Sequence, residues 1–217
     1  LAGLAGRGAS RAMSVALPFA MLVCWVWRHP HPQAVAGRCI GQTDVQVDKR
    51  KAKRLAHRIR RQARLHHWPR EVHTSPLLRC ALVGRILRSW GWRHHIDALL
   101  LEMDFGDWDG QAWQHIGQAQ VDAWCADFLH RPPGGAESLA DVFRRVDTWL
   151  GRAKAQHEPA HHPYLIVGHA GWMLALQWRT TRQDLPQQAA QWPAPPAYGQ
   201  CLQLKLPMSP SASAQAQ

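Results

Sequence analysis

Two histidines in this chain stand where apolar runs of strand length stop. Leu165-Ile166-Val167-Gly168 leads into His169, with Ala170-Gly171 behind it, and Met21 to Trp27 leads into Arg28-His29. An imidazole at the carboxyl end of a buried strand lies where open α/β sheets build their sites. The arginine beside one of them brings a planar fork that grips phosphate through two parallel hydrogen bonds. The histidine next to it can attack phosphorus and divide a hard transfer into two easier steps. Alone, an Arg-His pair reads as a surface feature; its place after a buried strand is what marks it.

Three more residues fit the same chemistry. Ser75-Pro76 is expected to open a helix, with Ser75 as the cap and Pro76 in the first turn, and Arg79 falls one turn into it. Helix amino termini favour anions, and an arginine there adds charge to the same spot. Glu102 closes the apolar run Ile96 to Leu101. A partly desolvated carboxyl there can hold a raised pKa and give a proton to a leaving oxygen. Asp104, Asp107 and Asp109 are rivals for that role that only geometry separates. His169 has small neighbours that let backbone approach a ligand, and as a cation it would stabilise a transferring phosphoryl group. The competing reading of His169 is a core histidine satisfied by a backbone carbonyl.

The elements that must position these groups follow from apolar spacing. Met21–Trp27, Val72–Thr74, Ile96–Leu101 and Tyr164–Val167 are expected as strands, and Cys201–Leu206 alternates like an edge strand. Helical spacing covers Lys49–Ala63, where Ala52, Leu55, Ala56, Ile59 and Ala63 form one stripe in an otherwise basic segment. Helices are also expected from Ser75 to about Arg88, in short pieces over Gln111–Leu129, from Ser138 to about Ala155, and over Ala170–Trp178. Ser138 with Asp141 resembles a capping box. Pro30–Asp48 is a long loop, and Thr180–Tyr198 is a Pro- and Gln-rich connection. Strands alternating with helices imply an α/β fold, a three-layer α/β/α sandwich on a mostly parallel central sheet.

Composition sets the outer bounds. The 217 residues suit one domain, expected over 21–206, with a poorly ordered extension at 1–20 and a disordered tail at 207–217. Met13 is a candidate start. The net charge is +11, concentrated in residues 1–100, which hold 18 Lys and Arg against 4 Asp and Glu, while the remainder is at −3. One helix wearing a solvated basic face accounts for this better than nucleic-acid binding, because no aromatic residues interleave with those charges. Five scattered cysteines without a CxxC pair point to reduced thiols in a cytoplasmic protein. Val15–Trp27 is too short for a membrane span. His66-His67, His94-His95 and His157 with His161-His162 make poor metal sites, since adjacent side chains point apart and Pro159 interrupts the last set.

Six pieces then occur in one order: Arg28-His29; Gly41-Gln42-Thr43-Asp44; Ser75-Pro76-Leu77-Leu78-Arg79-Cys80; Leu101 to Gly110; Pro133 to Ser138; and Gly168-His169-Ala170-Gly171. Together they resemble the histidine phosphatase superfamily, the phosphoglycerate mutase-like fold, over about Met21–Leu206. The segments around Gly106–Gly110 and Gly134–Ser138 are most similar to α-ribazole phosphatases of cobalamin synthesis, and Gly41–Asp44 leans the same way.

The resemblance implies His29 as nucleophile, Glu102 as general acid and then base, and a phosphate pocket of Arg28, Arg79 and His169. It also implies Gly41 and Gln42 at the substrate, and neither metal nor cofactor. The expected partner is a phosphorylated small molecule, nucleotide-like as in α-ribazole phosphate, with no nucleic acid and no membrane; a homodimer is left open. A sugar- or phosphoglycerate-type phosphatase, a phosphoprotein phosphatase, a silenced scaffold and a basic nucleic-acid-binding protein are the alternatives. One departure stands out: Pro30 follows Arg28-His29 where the family has Gly, which removes a backbone donor.

Overall fold

The computed structural model describes residues 21–156, 162–181 and 184–208. Five strands, β1 (Met21–Arg28), β2 (Glu71–Thr74), β3 (Arg93–Ile96), β4 (Tyr164–Gly168) and β5 (Cys201–Pro207), form one sheet in the order β3-β2-β4-β1-β5. Only β5 runs antiparallel, beside β1. The helices are α1 (Lys49–Leu65), α2 (Leu78–Ser89), α3 (Gln118–Ala126), α4 (Leu139–Gln156) and α5 (Ala170–Thr181).

Strand periodicity divides the core between two faces. Trp27, Val72, Leu165 and Val167 pack with the apolar stripe of α1 and with α2. Leu22, Cys24, Val26, Ile166 and Leu204 point the other way, into α4 and α5. Both faces of β1 and β4 are therefore covered, which is why these strands read as continuous apolar runs rather than alternating ones. Trp27, Trp149 and Trp172 are among the largest buried side chains, each contributing about 2–3 kcal/mol by leaving water.

Two expected elements lie elsewhere. The third strand is Arg93–Ile96, not Ile96–Leu101: Ile96 is 56% exposed, and Ala98–Leu100 form a single 3-10 turn that drops Leu100 into the core. Asp97 caps that turn by accepting from the Leu99 N–H. Helix α2 begins at Leu78 with Leu77, not Ser75, at the cap position. Ser75 Oγ accepts from the Leu77 N–H, and the Leu78 N–H donates across the fold to Asp44 Oδ1 at 2.6 Å. A distant carboxylate thus does the capping that the local serine was expected to do.

Pro207 belongs to β5, paired with Met21. The expectations for 1–20, for His157 and His161, and for 209–217 fall outside the described residues. Among the described residues, no helix is long and apolar enough to cross a membrane.

The capping box is present: Ser138 Oγ accepts from the Asp141 N–H at 3.2 Å, and Asp141 Oδ2 accepts from the Ser138 N–H at 2.9 Å. Ser138→Ala should cost about 1 kcal/mol, read as a lower urea midpoint at unchanged slope.

Candidate active site

Strands β1 and β4 are parallel neighbours with Arg28 opposite Gly168, so their ends deliver His29 and His169 to one place. The His29 N–H donates to the Gly168 carbonyl at 3.0 Å, and the two rings lie 5.1 Å apart. His29 Nδ1 is 2.8 Å from the Pro30 carbonyl. A carbonyl only accepts, so Nδ1 carries the proton and Nε2 keeps its lone pair. Burial, and then the nearby Arg79 charge, hold the His29 pKa well below its ordinary value. The ring is therefore neutral near pH 7, as a nucleophile requires.

Arg79, the second residue of α2, is almost wholly buried, and all three of its nitrogens have partners. One donates to the Thr43 carbonyl at 2.8 Å, one to the Gly41 carbonyl at 2.5 Å, and Nε to His169 Nδ1 at 3.2 Å. His169 is completely buried, and its Nε2 sits 3.4 Å from Cys80 Sγ. Its expected cationic form does not hold: burial first, and Arg79 second, push its pKa well below the usual range. Neutral His169 acts here as an acceptor that steadies Arg79.

Arg28 packs its guanidinium 3.8 Å over the Tyr198 ring and donates to the Pro196 carbonyl at 2.7 Å. Its Nε is buried with no partner among the described residues.

Glu102 follows the 3-10 turn rather than a strand end. One carboxyl oxygen accepts from the Met103 N–H and the other from the Gly171 N–H, at 3.0 and 3.1 Å. Gly171 lies in the first turn of α5, and a Cβ there would collide with Glu102. The glycine therefore allows the carboxyl its close approach to the helix amino terminus. The Glu137–Arg145 pair clamps the segment from behind: Arg145 donates to the Leu99 and Leu101 carbonyls, and Glu137 accepts from the Asp104 N–H.

Geometry separates the three rival aspartates. Asp104 closes a local turn onto the Gly106 N–H, and Asp107 is exposed. Asp109 gathers the Gly41, Gln42 and Thr43 N–H groups and the Thr43 hydroxyl. Gly41 and Gln42 are therefore committed to the wall: their N–H groups serve Asp109, and the Gln42 side chain donates to the Glu102 carbonyl. Neither lines the cavity, in contrast to their expected place at the substrate.

The cavity itself has a volume of about 580 Å³ and is lined at one end by Arg28, His29, Arg79 and Glu102. Its other walls include Phe105, Trp113, Trp124, Phe128 and Trp192. The sequence reading missed Tyr198, Arg145 and these rings. Arg145 left a trace, lying three residues after Val142 and four before Trp149 on the buried stripe of α4. On the far side of the molecule, Trp68, Trp90 and Trp92 do stand beside Arg60, Arg64 and Arg70, supplied by other elements than the basic helix. Among the described residues, no group of three or more His, Cys, Asp or Glu could hold a metal ion.

A sequence model of the family described as "Histidine phosphatase superfamily (branch 1)" matches residues 24–197. Phosphoglycerate mutase-like protein 4 of Arabidopsis thaliana is 28% identical over a 164-residue alignment that covers 71% of this chain and 69% of that one. A mycobacterial glucosyl-3-phosphoglycerate phosphatase superposes with a TM-score of 0.70 at 23% identity, covering 85% of this chain and 90% of its own. The α-ribazole phosphatase of Shigella flexneri gives a TM-score of 0.65 at 24% identity, covering 87% and 96% respectively. Likeness to structures at that identity establishes a shared fold.

The buried histidines have a consequence for stability. His29 and His169 stay neutral in the native state, and His73 and His94 are lowered to about 4, chiefly by burial. The unfolded chain protonates them near pH 6.5 and so binds more protons, which makes stability complete above pH 6.5 and lost as pH falls toward 4. Between pH 7.5 and pH 5 the unfolding free energy should therefore fall, as measured by urea unfolding. His169→Gln should flatten that slope by its share.

Proposed function

The chain belongs to the histidine phosphatase superfamily, branch 1, and from that premise we propose that it is a phosphomonoesterase working through a phosphohistidine at His29. The observation that carries this reading is the locked tautomer of His29. With Nδ1–H held by the Pro30 carbonyl, the free Nε2 lone pair shares one cavity with Arg28, Arg79 and Glu102. The retained carbonyl is also why Pro30, although it lacks an N–H, is compatible with the chemistry.

In this reading Arg28 and Arg79 bind the phosphoryl oxygens. The shared place of both guanidiniums with His29 in the lining of one cavity supports that assignment. Nε2 attacks phosphorus while the ester P–O bond breaks, and protonated Glu102 gives its proton to the departing oxygen. Glu102, now a carboxylate, takes a proton from water, whose oxygen attacks the phosphoramidate. Phosphate leaves, Nε2 is free again, and Glu102 is again protonated. Two arginines supply the positive charge that the developing equatorial oxygens need. His169 keeps Arg79 in place.

For the substrate we favour α-ribazole phosphate or a similar nucleotide-like monophosphate. The motif likeness around Gly106–Gly110 and Gly134–Ser138 supports this, as does a cavity large enough for a ring system beyond the phosphate end. Five unpaired cysteines favour a reducing compartment, the cytoplasm.

The test is phosphate release from a panel of monoesters, α-ribazole phosphate included. His29→Ala should remove at least about 10³-fold of the rate. Glu102→Gln should slow esters of poorly acidic alcohols by about 10²–10⁴ and those of acidic phenols far less. Full activity in His29→Ala would end the phosphohistidine reading.

A further inference from the structure

The end of the sheet opposite the catalytic cavity carries a different chemistry. Helices α1 and α2 stop just before the amino-terminal ends of β2 and β3, and both stop in the same way. A residue with left-handed backbone, His67 (φ 55°) or Gly91 (φ 83°), turns the chain, and a tryptophan follows it. The Trp68 N–H returns to the Ala63 carbonyl at 2.9 Å, and the Trp92 N–H to the Leu87 carbonyl at 3.3 Å. That pattern seats an apolar residue against the last helical turn. Trp90 stands at the cap position of α2. Indoles that the basic run of α1 lacks in sequence are thus brought to it by the fold.

With Arg60, Arg64, His67 and Arg70, these three tryptophans line a groove of about 500 Å³. The Arg60 guanidinium lies 4.6 Å over the Trp90 ring. His66, itself exposed, stacks flat on Trp68, 4.6 Å away at 18°. Trp68 and Trp90 are half-buried, so each ring meets solvent as well as the core.

The charge around the groove is unbalanced. Nine of the 17 residues of α1 are Lys or Arg, and none is Asp or Glu. Among the described residues, no ion pair involves α1 or Arg70. The dipole at a helix carboxyl end acts only over the last turn, so it does not account for cations along the whole helix. A helix of this length extends about 25 Å, more than a small anion can use. Its apolar stripe is buried in the core, which leaves no apolar face to enter a bilayer. A strand of phosphates bearing flat rings matches both parts of the surface: phosphates along the cations, bases against the planar groups.

We propose that this face binds single-stranded nucleic acid, with Arg64 and Arg70 on phosphates and bases stacked on the planar groups around Trp68 and Trp90. This goes beyond the phosphatase reading and does not depend on it, since the catalytic cavity lies at the other ends of the strands.

Fluorescence anisotropy of the full chain with a labelled oligothymidylate of about 12 nucleotides gives the affinity, and an abasic strand of equal length separates phosphates from bases. The strand with bases should bind at least about 10-fold more tightly than the abasic one. Contacts from Arg60, Arg64, Arg70 and one further α1 cation imply a log–log salt slope near about −3, a loss of about 50-fold between 50 and 200 mM salt. Replacing the exposed Arg64 and Arg70 together, R64A/R70A, should weaken binding at least about 10-fold at the lower salt and roughly halve that slope. Phosphate release from monoesters should stay unchanged in this variant, which also shows that it is folded.

Equal binding of the two strands would overturn the stacking, and the native protein alone decides that comparison. Undiminished binding by R64A/R70A would overturn the placement. Tighter binding to phosphatidylserine vesicles than to the strand would overturn the partner. Each of these results leaves the phosphatase reading to its own test.

Discussion

A guanidinium kept dry is the constraint around which this molecule is arranged. Arg79 cannot shed its proton, and a buried charge without partners is too costly to keep. Its acceptors are two loop carbonyls, Gly41 and Thr43, and the Nδ1 of a histidine at the end of β4. Those carbonyls face inward because Asp109 draws the N–H groups of the same loop the other way. Asp44, at the end of that loop, ties it to the start of α2, the helix that carries Arg79. Loop, helix and strand end are thereby fixed to one another through a single cation.

The electrostatics of the pocket follow from that arrangement. The two histidines are held neutral by burial and by the arginine beside them. Positive charge is left to the guanidiniums of Arg28 and Arg79. A neutral ring that can attack thus sits beside cations that can bind an anion. Phosphoryl transfer asks for this division of labour, since positioning and charge stabilisation are most of what a protein contributes to it.

Much of this was legible from local pattern. Apolar runs that stop at Arg28-His29 and at His169 mark buried strands whose ends are functional, and Ser138 with Asp141 marks a helix start by short-range chemistry alone. The rest depended on distance. β3 is an edge strand with a polar sequence, Arg93-His94-His95-Ile96, so it shows no apolar signal, whereas the apolar Ala98–Leu100 is spent on a turn. Asp104, Asp107 and Asp109 are equivalent in sequence, and only the approach of the 41–43 loop singles out Asp109. The helix start at Leu78 was misplaced for the same reason, its capping carboxylate lying 34 residues earlier. Trp124 and Trp192 look like ordinary core aromatics until the fold sets them around one space.

The cavity is held in two different ways, and this bears on how such a protein changes over generations. At the phosphate end the ties run through main-chain atoms: the Pro30, Gly41 and Thr43 carbonyls and the Met103 and Gly171 N–H groups. Most replacements leave such atoms in place, provided the glycine needed at 171 is kept. The opposite walls consist of side chains alone, each of which a single codon change can replace. One half of the cavity is therefore buffered against mutation while the other is open to it. A lineage can trade one alcohol for another by substituting a ring, without rebuilding the apparatus that handles phosphorus.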